Sequence, residues 1–206
     1  MSALIVTGTD TGVGKTVFAA GLTAVLGACY WKPVQSGLED ATDSETVRSF
    51  SGAEVLPETY RLNLPASPHL SAEDMGVKID LSRLALPQVD GPLVVEGAGG
   101  VMVPLNRQAF YLDLFAQWRA PVILVARTAL GTINHTSLSL MALRNAGCEV
   151  AGVAFVGDPQ PEVEQTIVQM CDVRHLGRLP FLAELTQQTL SDAFTAIDIE
   201  AIRRFL

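Results

Sequence analysis

Gly8-Thr9-Asp10-Thr11-Gly12-Val13-Gly14-Lys15-Thr16 follows a short apolar run, residues 3–7, and opens directly onto an apolar helical pattern, residues 15–26. A strand, a glycine-rich turn and a helix in that order form a phosphate loop. The glycines let backbone N–H groups wrap around an anion, and the helix N-terminus adds partial positive charge. The lysine reaches the β and γ phosphates, and the threonine hydroxyl can ligate Mg²⁺. Thr9 rather than glycine stands six residues before Lys15, so the loop is one residue longer than the strict pattern. A tight structural turn explains the glycines but not the Gly-Lys-Thr ending, and nucleotide binding is the stronger reading.

Residues 28–34, 92–96, 121–126 and 150–156 are further Val-, Ile- and Leu-rich runs without in/out alternation. Such runs read as strands buried on both faces, and the spacing between them is that of crossover helices in a parallel sheet. Helical patterns fill residues 44–50, 110–118, 134–145 and 162–170, and residues 199–205 close the chain with Asp198 as cap. The expected fold is α/β of the P-loop NTPase type, a mostly parallel central sheet with helices on both faces, in one domain over residues 1–206. Residues 52–89 are the least regular stretch and read as a functional excursion. Ligands of such sheets bind beyond the carboxyl ends of the strands, so the chemistry is expected just after each run.

The second run ends in Lys32-Pro33-Val34-Gln35-Ser36-Gly37. Lys32 reads equally as a snorkelling surface group or as a second cation beside the phosphates. Residues 38–58 hold six acids and one arginine, most of them explained as a solvated helix face. Asp43, expected at the N-cap of the following helix, is the best fixed of these as a metal carboxylate. The third run closes on Glu96 before Gly97-Ala98-Gly99-Gly100. An acid ending a buried strand is costly unless it is paired or holds a metal, which marks Glu96 as functional. After the fourth run, Gly131, Thr132 and Asn134 open a helix, and either a second anion site or an ordinary helix start explains them.

Composition bounds the partners. The 206 residues are 49% hydrophobic and 17% charged, with 14 Lys and Arg against 22 Asp and Glu for a net charge of −8. That balance disfavours nonspecific contact with nucleic acid or anionic membrane. Neither a basic leader nor an apolar run of about 18 residues is visible, so a cytoplasmic protein is expected. The three cysteines are widely spaced and odd in number, as reduced thiols are. His69, His135 and His175 have no zinc spacing.

Taken together, GTDTGVGKT, KPVQSG, Ser67-Pro68-His69, VEGAGG and LGTINHT resemble, in order and over essentially the full length, the dethiobiotin synthetases of biotin biosynthesis. The resemblance implies an ATP-dependent cyclo-ligase that closes a ureido ring from 7,8-diaminononanoate and CO₂ through a carbamate and a carbamic-phosphoric anhydride. It implies Lys15 and Lys32 on the phosphates and the carbamate, with Thr11 and Ser36 beside the substrate. Gly12, Val13, Gly14, Lys15 and Thr16 would hold ATP. Thr16, Asp43 and Glu96 would hold Mg²⁺, with Glu45 competing for the place of Asp43. Gly131, Thr132 and Asn134 would receive the substrate carboxylate across a homodimer interface. Two positions depart from the family. Gly12 stands where glutamate is frequent, and Val156 stands where an asparagine reads adenine in some members. Base selection is therefore expected to rest on backbone groups or to be loose. Glu184, in a segment resembling the nucleotide-flanking one, is a candidate for ribose contact, and His69 for the pocket wall. The rival reading, a nucleotide switch that positions DNA or membrane, would carry a lysine early in the loop, where Asp10 stands.

Overall fold

The structure, a computed structural model, describes residues 2–206. The phosphate-loop strand β1 (Ser2–Gly8) is the third from one edge of a six-stranded sheet and leads into α1 (Lys15–Leu26). Next come β2 (Cys29–Trp31), β3 (Val34–Ser36), α2 (Asp43–Ser51), β4 (Tyr60–Leu62) and α3 (Pro68–Asp74). The central part holds β5 (Pro92–Gly100), a hairpin of β6 (Pro104–Asn106) and β7 (Ala109–Phe110), and α4 (Tyr111–Trp118). The chain continues with β8 (Val122–Arg127), α5 (Thr132–Asn145), β9 (Val150–Val156), α6 (Pro161–Cys171), β10 (His175–Leu179), α7 (Gln187–Phe194) and α8 (Ile199–Arg203).

The main sheet has the order β10-β9-β8-β1-β5-β2 and every pairing in it is parallel. Successive residues of β1 feed opposite layers. Leu4 and Val6 join Phe18, Val47, Leu190 and Ile202 on one face, while Ala3 and Ile5 join Leu114, Phe115, Leu140 and Ile167 on the other. Burial on both faces is why these strands are apolar throughout rather than alternating. Crossing from β5 to β8 passes over β1, so the carboxyl end of β1 lies where the strand order reverses, the place where a crevice opens.

Two expectations change. The run 28–34 is not one strand. Pro33 lacks an N–H and ends β2, and the chain then leaves the main sheet so that β3 pairs in parallel with β4. The stretch 52–89 is more ordered than its sequence suggests, since it contributes β4, α3 and the 3₁₀ turn Leu81–Arg83. Among the described residues no helix is long and apolar enough to cross a membrane.

Candidate active site

A cleft of about 610 Å³ opens at the carboxyl ends of β1, β2 and β5, walled by the phosphate loop, Lys32, Ser36, Asp43, Glu96, residues 65–68 and Gly99. Gly14 caps α1 in the left-handed region, φ 95°. A side chain there would also stand 2.9 Å from Val156 Cγ1, so glycine is required twice over. Lys15 is buried and donates to the Asp10 carbonyl at 2.8 Å, curling its ammonium back over the loop. Burial, opposed by the charge of Glu96, pulls its pKa down to about 8.

The floor of the cleft is an ionic knot. Glu96 is fully buried on β5, and its Oε1 accepts from Lys32 Nζ at 3.1 Å and lies 2.9 Å from Thr16 Oγ1. Its other oxygen, Oε2, accepts from the Tyr30 hydroxyl at 2.8 Å. Lys32, 3% exposed, also pairs with Asp43 and donates to the Gly97 carbonyl at 3.3 Å. Burial works against this ammonium, yet Glu96 and Asp43 hold its pKa above the ordinary lysine range. Burial likewise works against the Asp43 carboxylate and is outweighed by Lys32, so its pKa falls below the usual value.

Thr16 Oγ1 is 2.8 Å from Asp43 Oδ1 as well as 2.9 Å from Glu96 Oε1. A hydroxyl has one proton and cannot donate to both carboxylates. Three hard oxygens at such separations suit a small divalent cation. The donor chemistry therefore fits Mg²⁺, although no group of three or more His, Cys, Asp or Glu side chains that could hold a metal occurs among the described residues.

The N-cap expectation for Asp43 is corrected. Thr42 is the cap of α2, and Thr42-Asp43-Ser44-Glu45 is a capping box in which Glu45 Oε2 accepts from the Thr42 N–H at 2.8 Å. Asp43 is the first residue inside the helix, where its carboxylate faces the positive helix end and Lys32. Glu45 is exposed, engaged in the cap and absent from the cleft lining. The Gln35 amide oxygen accepts from the Asp43 N–H at 3.3 Å and ties β3 to the same helix start.

The remaining candidates divide. Thr11, Gly12 and Ser36 line the cleft, and the Ser36 hydroxyl is buried without a protein partner. Val13 turns its side chain into the core and offers the site only its backbone. Val156 is also core, wedged against Gly14, and its carbonyl accepts from the Thr128 N–H at 3.0 Å. Glu184 is exposed, makes no side-chain hydrogen bond and does not line the cleft. Gly131, Thr132 and Asn134 start α5 outside the cleft of their own chain; Thr132 is buried and Asn134 exposed. His69 accepts from or donates to Ser67 Oγ at 3.0 Å, so it braces the wall rather than facing in. Sequence reasoning missed Tyr30 and Gln35. A signal was present at Tyr30, because a phenol within a buried strand needs a partner, and Glu96 was a fixed acceptor.

A parallel doubly wound sheet with Gly-Lys-Thr at the switch point and a carboxylate closing the neighbouring strand defines a P-loop nucleotide-binding protein. Known structures agree on the fold. A putative plasmid partition protein from Borrelia burgdorferi superimposes with a TM-score of 0.61 at 10% identity, covering 100% of this chain and 99% of that one. The MinC:MinD cell division complex of Aquifex aeolicus gives a TM-score of 0.59 at 14% identity, covering 99% and 96%. The family model described as AAA domain matches residues 2–189. Relatives named ATP-dependent dethiobiotin synthetase BioD are far nearer in sequence. That of Rhodopseudomonas palustris is 61% identical over 93% of this chain and 91% of its own length, and that of Brucella anthropi 60% identical over 92% and 91%. The chain belongs to the dethiobiotin synthetase family.

Proposed function

We propose that the protein is an ATP-dependent cyclo-ligase that forms dethiobiotin from 7,8-diaminononanoate, CO₂ and ATP. The observation that carries the reading is the convergence of Lys15, Thr16, Lys32, Asp43 and Glu96 in one cleft beyond the strand ends. One substrate amine adds to CO₂ and loses a proton to give a carbamate. A carbamate oxygen attacks the γ-phosphorus of ATP and ADP departs. The second amine attacks the carbamoyl carbon and gives up a proton, phosphate leaves with the C–O electrons, and the ureido ring closes.

The carbamate, the phosphates and the substrate carboxylate are all anions, and the protein's net charge is −8, so cations must be local. Lys15 neutralises the phosphates from the loop. Lys32, held at the base of the cleft, stabilises charge as the anhydride forms, a contribution largest in the transition state. Ser36, whose hydroxyl has no protein partner, and Thr11 hydrogen-bond the carbamate side of the substrate. The backbone of Gly12, Val13 and Gly14 cradles ATP, with Val156 beneath the loop and Glu184 beside the ribose. Thr16, Asp43 and Glu96 would hold Mg²⁺, which neutralises and orients the phosphate oxygens when bound.

The substrate carboxylate is received by Gly131, Thr132 and Asn134 of a second copy in a homodimer. The exposed apolar residues Leu130, Ile133, Leu138 and Met141 around α5 support that assembly. The working unit is one domain over residues 1–206, cytoplasmic, with no nucleic-acid or membrane partner. The test is phosphate release measured with and without diaminononanoate and bicarbonate, with product mass read in parallel. Release that requires both supports the reading; ATP hydrolysis indifferent to the diamine replaces it with a nucleotide switch.

A further inference from the structure

Glu96 has two oxygens in different situations. Oε1 faces the cleft, near Thr16 and Lys32, while Oε2 points to the buried side and accepts from the Tyr30 hydroxyl at 2.8 Å. Tyr30 and Glu96 are both 0% exposed. The backbone that carries the phenol is held in place as well. Tyr30 pairs with Val94 of β5, so Glu96 is its diagonal cross-strand neighbour on the same face. On the other edge its N–H donates to the Glu54 carbonyl and its own carbonyl accepts from the Leu56 N–H, each at 2.9 Å. The backbone of Tyr30 is thus held from both sides of the strand, and its buried hydroxyl meets Glu96.

We propose that Tyr30 is a positioning residue that confines Glu96 to one-oxygen ligation and so sets the preference of the cation site for Mg²⁺ over Ca²⁺. Turning Oε2 into the cleft to chelate a cation would break the hydrogen bond and leave a buried phenol unpaired. Mg²⁺ is small, takes near-octahedral geometry and accepts single carboxylate oxygens. Ca²⁺ is larger, takes more ligands and favours bidentate carboxylates. A carboxylate whose second oxygen is engaged behind it therefore suits the smaller ion.

The proposal rests on Thr16, Asp43 and Glu96 being the cation ligands, and the test separates the two. Dissociation constants for a non-hydrolysable ATP analogue are measured in EDTA, in excess Mg²⁺ and in excess Ca²⁺, for the wild type and Tyr30→Phe. In the variant the EDTA constant is expected to stay within about twofold, while the tightening by Mg²⁺ falls by about 10-fold or more and the gap to Ca²⁺ narrows. Three constants that move together, or none that moves, overturn the role of Tyr30. A wild type in which Mg²⁺ brings no tightening overturns the ligand assignment as well. If Tyr30→Phe does not fold, infrared difference spectra of the wild type on adding Mg²⁺ decide. A wide separation of the carboxylate stretches supports one-oxygen ligation at Glu96, and a narrow, chelate-like one refutes it, with Glu96→Gln assigning the bands.

Discussion

Replacing Lys32 by methionine keeps the length of the side chain and removes its charge from the centre of the knot. The ammonium is 3.1 Å from Glu96 Oε1, a separation worth about 5 kcal/mol of attraction at an effective dielectric constant of about 20. Most of that offsets the desolvation of the two groups. Without Lys32, however, a fully buried carboxylate loses its counter-charge, and breaking such a pair costs about 3–5 kcal/mol. For a chain of this size the melting temperature should fall by about 6–20 °C. Thermal unfolding of Lys32→Met, followed with and without Mg²⁺, checks the figure. Because Lys32 contacts both proposed cation ligands, Mg²⁺ should recover more stability in the variant than it adds to the wild type. Steady-state kinetics complete the assay: kcat is expected to drop about 100-fold or more, by analogy with other preorganised charges, with a smaller change in ATP affinity. A variant that melts within a few degrees of wild type, gains nothing extra from Mg²⁺ and turns over near normally would rule out this role for Lys32.

Further expectations follow from other parts of the site. Lys15, with its pKa lowered to about 8, must be protonated to hold phosphates, so affinity for an ATP analogue should weaken above that pH by up to about tenfold per unit. Its contribution to stability runs the other way, rising between about 8 and 10.5 because the unfolded chain then binds more protons, and titration of Lys15→Arg should flatten the binding profile. Gly14→Ala, placed at φ 95° and against Val156, should destabilise the protein by about 1–3 kcal/mol in denaturant melts and weaken nucleotide binding; an unchanged midpoint contradicts the tight fit. Leu138→Glu combined with Met141→Glu should halve the mass seen by light scattering and raise the KM for the diamine; a wild type that is already monomeric removes the assembly.

The sheet was legible because its strands are buried on both faces, which leaves apolar runs such as residues 150–156 that no surface strand would show. Glu96 was legible for the converse reason, as an acid where burial was certain. What escaped was set by contacts distant in sequence. β3 and β4 are three residues each, too short for a period, and exist because Pro33 expels the chain from the main sheet. Asp43 was placed one position early because Thr42 and Glu45, three apart, were not read as a reciprocal cap. Tyr30 looked like one more aromatic in a core strand, and only the register of β2 on β5 brings its hydroxyl to Glu96. The start of α5, which the proposed homodimer would bring to the substrate, lies outside the cleft of its own chain.

The departure of the chain from the main sheet at Pro33 also limits how its length can change. Within five residues, Lys32 enters the knot, Gln35 fastens the start of α2 and Ser36 reaches the cleft, all in one register, with Val34 opposite Tyr60 and Ser36 opposite Leu62. Side chains on a strand alternate, so gaining or losing one residue here would turn Gln35 away from Asp43 and Ser36 away from the cleft together. Substitutions in this stretch can be graded in their effects, whereas insertions and deletions cannot. In this segment the number of residues is constrained along with the side chains that act.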